Sequence, residues 1–279
     1  NLDSKLDQRI ELIVYKRSNM TILDKIVVRK KEEVAEAKAK VSLEELQKMP
    51  LFSRTCYNLK ESVLNPDKTG IIAEYKRASP SKGLINGTST VQEVVKGYQD
   101  VGASAISVLT DKDFFQGSLD DLTAAREVLQ IPLLRKEFIV DEYQIAEAKA
   151  YGADIILLIA ACLNSKEIET LSKYAKTLGL NVLLEVHNEE ELNRSIFNSI
   201  DAIGVNNRNL KDFIVSLDHS YDLVNKIPST FVKVSESGIS DPDTITDLKK
   251  AGFNAFLIGE NFMKTENPAE AIKEFVEKI

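Results

Sequence analysis

From residue 71 onward, short apolar runs with a period of two alternate with longer stretches in which apolar positions recur every three or four residues. The short runs are IIAEY opening the stretch 71–83, AISVLT at 105–110, PLLRKEF at 132–138, IILLIAA at 155–161, NVLLEV at 181–186, AIGVNN at 202–207, FVKVSES at 231–237 and AFLIGE at 255–260. Between them lie amphipathic stretches such as VQEVVKGYQDVGA, EYQIAEAKAYGA and NEEELNRSIFN. Eight strand candidates, each followed by helical sequence at a spacing of roughly 21 to 34 residues, predict an α/β fold, a (β/α)₈ TIM barrel, over 70–279. Gly102, Gly152, Gly179 and Gly252 stand where helices stop before strands. A doubly wound open sheet is the alternative, but Arg77 to Lys82 carries no G-x-G-x-x-G turn.

Upstream, TILDKIVVRKKEEVAEAKAK predicts an amphipathic helix with Ile22, Ile26, Val27 and Val34 on one side. A short helix over 43–49 ends at Pro50, and a polar stretch then leads to the first strand. Residues 20–69 therefore form a helical N-terminal extension, while 1–19 read as a leader or upstream extension before Met20.

Side chains alternate across a strand, so Ile72, Glu74 and Lys76 share one face of the first. The same test puts Lys136 with Leu134 and Phe138, Glu185 with Leu183, and Glu236 with Val232 and Val234. The sixth strand offers Ala202, Gly204, Asn206 and Arg208 on one face, and the eighth Ala255, Leu257 and Gly259. In a barrel, chemistry belongs at the carboxyl ends of the strands, so Glu74, Lys76, Lys136, Glu185, Asn206 and Glu236 are expected to converge on one pocket mouth. A single such pair would be an ordinary structural ion pair, but three carboxylates and two amines, gathered with an amide from five strands, are costly to bury without a use.

A net charge of −7 with no basic or aromatic-interleaved patch argues against nucleic acid, while a small anionic ligand stays open. No run approaches the roughly 18 apolar residues of a membrane span, and no signal peptide is visible, which points to the cytoplasm and no membrane partner. Cys56 and Cys162 fit no metal or redox spacing and read as packing residues; His187 and His219, flanked by helix-cap residues, read as surface or cap positions. No metal and no cofactor is needed to explain the residues present.

Carboxylates beside ammonium groups suit stepwise acid–base chemistry, with partial burial expected to draw the lysine pKa values down. A lysine in a barrel also leaves Schiff-base aldolase chemistry open. Gly238 after the seventh strand and Gly259 after the eighth lie where backbone N–H groups can hold a phosphate, and Ser79 and Ser81, with Lys76 and Arg208, complete the cradle.

EYKRASPSKG, FFQGS at 114–118, LLRKEFIVDEYQI, VNNRNL, KVSESGI and FLIGENFM together resemble indole-3-glycerol phosphate synthase, in order from about residue 20 to the end. The resemblance implies conversion of 1-(2-carboxyphenylamino)-1-deoxyribulose 5-phosphate to indole-3-glycerol phosphate by ring closure, decarboxylation and dehydration, without an external cofactor. It implies Lys136 as the general acid at the ketone oxygen and Lys76 as partner of the substrate carboxylate and candidate acid in the later loss of hydroxyl. Glu185 would stabilise developing positive charge or take a proton, and Glu74 would be the dehydration base. Asn206 and Glu236 would hold sugar hydroxyls and the lysines. Phe115, Phe138, Leu157 and Leu210 would form the slot for the aromatic ring. Ser79, Ser237, Gly238, Gly259 and the backbone of Glu260 would hold phosphate, with Arg208 near ring and sugar. Glu260 departs from the family, where a Ser is frequent, and its side chain is expected to turn outward. The resemblance also implies that the 21–69 segment covers the barrel mouth, and it makes other tryptophan-pathway enzymes candidate protein partners. Another phosphosugar barrel, such as phosphoribosylanthranilate isomerase, and a barrel that binds a phosphorylated metabolite without turnover remain as rivals.

Overall fold

Residues 20–279 are described by the computed structural model; the leader expected at 1–19 lies outside them. The apolar runs form strands β1 (Ile71–Tyr75), β2 (Ala105–Leu109), β3 (Leu133–Lys136), β4 (Ile155–Ile159), β5 (Asn181–Val186), β6 (Ala202–Asn206), β7 (Val232–Glu236) and β8 (Ala255–Ile258). All pair in parallel and β8 returns to β1, so the sheet closes and leaves no unpaired edge. This is the TIM barrel that the strand spacing predicts.

Closure sorts each strand's residues by parity. Ile72, Ala105, Leu134, Leu157, Leu183, Ala202, Val234 and Leu257 pack inside the barrel. Ala73, Ile106, Leu133, Ile156, Leu184 and Ile203 pack outward against the helices. Those helices begin on side-chain caps such as Ser118, Asp141, Asn164 and Asp241. The four glycines expected at helix ends all have positive φ, which a side chain would strain. The stretch NEEELNRSIFN supplies only one short helix, Glu189–Asn193, before the chain turns toward β6.

The N-terminal segment touches both ends of the barrel. Helix α1 (Ile22–Lys40), started by a Thr21–Asp24 capping box, buries Ile26, Lys30 and Val34 at successive i, i+4 positions. A lysine in that stripe needs partners. Lys30 Nζ lies 2.7 Å from Asp111 and 3.0 Å from Glu137, on the loops after β2 and β3, and 2.6 Å from Glu33. Helix α2 (Leu43–Gln47) then packs Leu46 with Val34 against Tyr143, Ala146 and Ala150.

The stretch beyond Pro50, expected to be a polar connection, contains helix α3 (Leu59–Leu64), capped by Asn58. Its Leu59 and Val63, four residues apart, join the inward-facing core from the amino ends of the strands. Asp154 accepts hydrogen bonds from Arg54, Arg126 and the Tyr57 backbone, and Asn181 Oδ1 accepts one from the Leu59 backbone. Only the first part of the segment thus lies at the mouth. Among the described residues no helix is long and apolar enough to cross a membrane.

Replacing Lys30 by Met should destabilise the fold by about 3–5 kcal/mol, because Asp111 keeps its burial and loses its cation, and Glu137 is left with Arg135 as its cation, 3.7 Å away. A urea midpoint equal to that of the parent chain would show that the cluster carries no such load.

Candidate active site

The carboxyl ends of the strands surround a cavity of about 530 Å³. Strand register brings the polar residues there to one level. Glu74 lies opposite Ser107, Lys136 opposite Leu109, Glu185 opposite Ile159, and Glu236 opposite both Asn206 and Leu257. Of the residues singled out by alternation and resemblance, all but Glu236 line the cavity. Glu236 is 1% exposed and lies beneath them.

Two glycines make room for these acids. A Cβ on Gly204 would lie 2.0 Å from Glu236 Oε1, and one on Gly259 would lie 2.9 Å from Glu74 Cβ. Small residues on β6 and after β8 are therefore what allow large acids on β7 and β1 to point inward.

Lys136 Nζ is 3.5 Å from Glu74 Oε2 and 3.8 Å from Glu236 Oε2, and Lys76 Nζ is 3.5 Å from Glu74 Oε1. Ser107 Oγ donates to Glu74 Oε2 at 2.8 Å, and Asn206 Nδ2 donates to Glu185 Oε1 at 3.0 Å. Asn206 is held in turn by Ser237 Oγ, which donates to its Oδ1 at 2.9 Å, and by the Arg208 backbone N–H at 3.0 Å. Asn206 thereby links the acid on β5 to the loop after β7.

Burial favours the neutral form of every one of these groups, so the neighbours decide the charges. At Lys136, burial works to lower the pKa, but Glu74, Glu236 and Glu185 outweigh it and the ammonium is held above its ordinary value. The expected downward shift is therefore reversed at this lysine, because three carboxyl groups surround it. Burial pushes Glu74 up, yet Lys136, Lys76 and the Ser107 hydrogen bond bring it below the usual range. Glu185 is also lowered against its burial, by His187, Lys136 and Asn206. Glu236 goes the other way, raised well above the usual range by burial and by the charge of Glu185. Of the three carboxyl groups, Glu236 is thus the one whose surroundings favour the protonated form beside the Lys136 ammonium. One cation cannot hold three anions at this depth.

The apolar wall is formed by Phe115 and Phe138, with ring centroids 6.1 Å apart, together with Leu157 and Leu210. At the rim, Ser237 and Gly238 both have positive φ, and a Cβ on Gly238 would lie 2.4 Å from Val215. Gly259 precedes the four-residue helix Glu260–Met263, which sets the first amides of that helix at the cavity edge. Ser79 and Ser81 face this rim from a small hairpin after β1, their hydroxyl oxygens 3.5 Å apart. The Glu260 side chain does not turn away as expected. Its carboxylate lies 3.6 Å from Lys82 Nζ and 3.9 Å from Arg208 Nη2, on the cavity rim, because two cations attract it there.

Arg77, beside the inward Lys76, points outward onto the Tyr75 ring and pairs with Asp121. His187 is not a surface residue. Its side chain is 11% exposed and its Nε2 lies 3.4 Å from Glu185 Oε1. Cys162 packs against the core, with burial pushing its thiol up. Ser107 went unrecognised in the sequence, although alternation within AISVLT places it between inward Ala105 and Leu109. Lys82, in the Ser-Pro-Ser-Lys-Gly loop, was the other available cation. Neither His187 nor Lys82 carries a local pattern that separates it from ordinary loop residues.

A family model described as indole-3-glycerol phosphate synthase matches residues 23–275. A protein of that description from Bacteroides thetaiotaomicron is 46% identical over 92% of this chain and 98% of its own length. Others from a Polaromonas species and from Campylobacter jejuni are each 43% identical over 91% and 90% of this chain and 97% and 98% of their own. Among solved structures, a mutant tryptophan synthase alpha-subunit from Pyrococcus furiosus overlays with a TM-score of 0.56 at 15% identity, covering 76% of this chain and 98% of its own. The 3-hexulose-6-phosphate synthase of Salmonella typhimurium overlays at 0.54 with 13% identity, covering 75% and 97%. At such identities these two speak for the barrel alone. The near-full-length family match and the relatives above 40% identity go further: this chain belongs to the indole-3-glycerol phosphate synthase family.

Proposed function

We propose that this chain is an indole-3-glycerol phosphate synthase, a carboxy-lyase that closes the indole ring of 1-(2-carboxyphenylamino)-1-deoxyribulose 5-phosphate with loss of CO₂ and water. Family membership supports this reading, and so does one observation above the others. Lys136 is a partly buried ammonium facing a cavity that has an aromatic wall on one side and a glycine-bearing rim on the other.

A lysine kept protonated is suited to donate a proton, not to attack a carbonyl as a free amine, which speaks against the aldolase alternative. Lys136 is assigned the protonation of the ketone oxygen during ring closure. Decarboxylation then restores the aromatic system, with Lys76 holding the departing carboxylate. Glu185, ionised beside the cavity, stabilises the positive charge that develops on the ring nitrogen. Glu74, bridging both lysines, is the base of the dehydration, with Lys76 as candidate acid for the hydroxyl that leaves. Glu236, beneath the cavity, is assigned to Lys136 and Glu185 rather than to the sugar, and Asn206 to the sugar hydroxyls.

Phe115, Phe138, Leu157 and Leu210 would hold the aromatic ring, above the floor residue Leu257. Ser79, Ser81, Ser237, Gly238, Gly259 and the Glu260 backbone would hold phosphate, with Arg208 between phosphate and sugar. The 20–69 extension would shield the reacting groups from water through Ile22, Leu23 and Ile26, which line the cavity. The proposed location is the cytoplasm, where other tryptophan-pathway enzymes are candidate partners.

Supplying the carboxyphenylamino deoxyribulose phosphate to the purified protein should produce indole fluorescence and CO₂; a protein that binds the compound unchanged would refute the assignment. Lys136→Ala should lower kcat by roughly 10²–10⁴ while the circular dichroism spectrum is kept. Gly204→Ala should displace the Glu236 carboxyl and lower kcat by about 10², with KM less affected. Glu260→Ser should lower KM by up to about fivefold at unchanged kcat, since it removes a partly exposed carboxylate from the phosphate seat. A higher KM would mean that this carboxylate is needed to hold Lys82 and Arg208.

A further inference from the structure

The ring of His187 is fixed from one side. Its backbone N–H donates to Glu191 Oε2 at 2.7 Å, and its Nδ1 lies 3.2 Å from the same oxygen, four residues along the chain. The Nδ1 proton is thereby committed to Glu191. The other ring nitrogen is buried and has no hydrogen-bond partner, yet lies 3.4 Å from Glu185 Oε1. A neutral ring in this pose would aim a lone pair at a carboxylate, and an imidazolium would aim an N–H at it. Other charged and titratable groups close in from several elements. Glu185 comes from β5, and Glu191 from the helix Glu189–Asn193. The buried Cys162 thiol after β4 lies under the influence of both acids and of Asp24 in α1. Lys136 and Glu236 stand beyond Glu185.

We propose that His187 is a positioning residue whose imidazolium, clamped between Glu191 and Glu185, keeps Glu185 the ionised member of the Glu185–Glu236 pair and leaves the proton on Glu236. The inference rests on the synthase reading for its kinetic consequence, but not for its protonation state. Burial works to lower the His187 pKa, and the Glu191 hydrogen bond with the charges of Glu185 and Glu191 reverses that and raises it. Asn206 donates to the same Oε1, so that oxygen is held by one hydrogen bond and faces the unpartnered Nε2 at 3.4 Å. His187 itself does not line the cavity, so it acts through Glu185.

The chain has only two histidines, so nitrogen-15 NMR of labelled imidazoles reads this site directly, with His187→Gln for assignment. One imidazole should remain doubly protonated above the ordinary histidine midpoint, and Glu185→Gln should bring it down. Kinetically, His187→Phe should lower kcat about tenfold with KM within about twofold. Its acid limb in kcat/KM should move up by about one pH unit, because Glu185 loses the cation that keeps it ionised. His187→Gln, whose amide can donate to Glu185, should recover part of kcat. An imidazole titrating at its ordinary midpoint, or an acid limb that stays in place in His187→Phe, would overturn the proposal. A parent chain without turnover would instead overturn the synthase reading, and the NMR titration would still decide this one.

Discussion

At the carboxyl end of the barrel, one ammonium group at the base of the cavity is surrounded by three carboxyl groups that are themselves almost fully buried. Charges so placed must nearly balance, since each unpaired ion at this depth costs several kcal/mol. The site meets that constraint by giving the groups unequal surroundings. Glu74 has two lysines and the Ser107 hydroxyl, and Glu185 has Asn206 and His187, whereas Glu236 has an oxygen resting on Gly204 without a partner. The poorest environment keeps the proton. Acids on alternate strands thus differ in their readiness to hold a proton, which is what a sequence of proton transfers needs.

Above this layer the cavity changes character. Phe115 and Phe138 make one wall apolar, while Ser79, Ser237 and the backbone around Gly259 make the rim polar. A molecule with a flat ring at one end and an anion at the other fits that gradient in one orientation only. Glu260 occupies the rim between Lys82 and Arg208, and its carboxylate holds the two cations in register. An incoming phosphate would have to compete with that carboxylate for both.

Much of this was legible in the chain because strand parity is a short-range property. Once Ile72 faces inward, so do Glu74 and Lys76, and the same count assigns Lys136, Glu185, Asn206 and Glu236. Parity says nothing about who the neighbours are. The lysine pKa shift was expected to go down because burial alone could be anticipated, whereas the three acids around Lys136 come from positions 49 to 100 residues away in sequence. The outward turn expected of Glu260 failed for the same reason: its two cations belong to other loops. Leu59 and Val63 were hidden by the charged residues between them, and His187 by its place beside a helix cap.

The N-terminal segment reaches its partners across long stretches of chain. Lys30 meets Asp111 over 81 residues, Arg54 meets Asp154 over 100, and Leu59 meets Asn181 over 122. During synthesis this segment leaves the ribosome before the barrel, and its partners follow one after another: Asp111 after β2, Asp154 before β4 and Asn181 at the start of β5. Its docking is therefore complete only once β5 has emerged, although Leu59 and Val63 meet the inward residues of β1 to β3 earlier. A floor plug encoded ahead of the barrel thus ties the last of its contacts to a strand made much later, and the order of synthesis and the order of packing differ there.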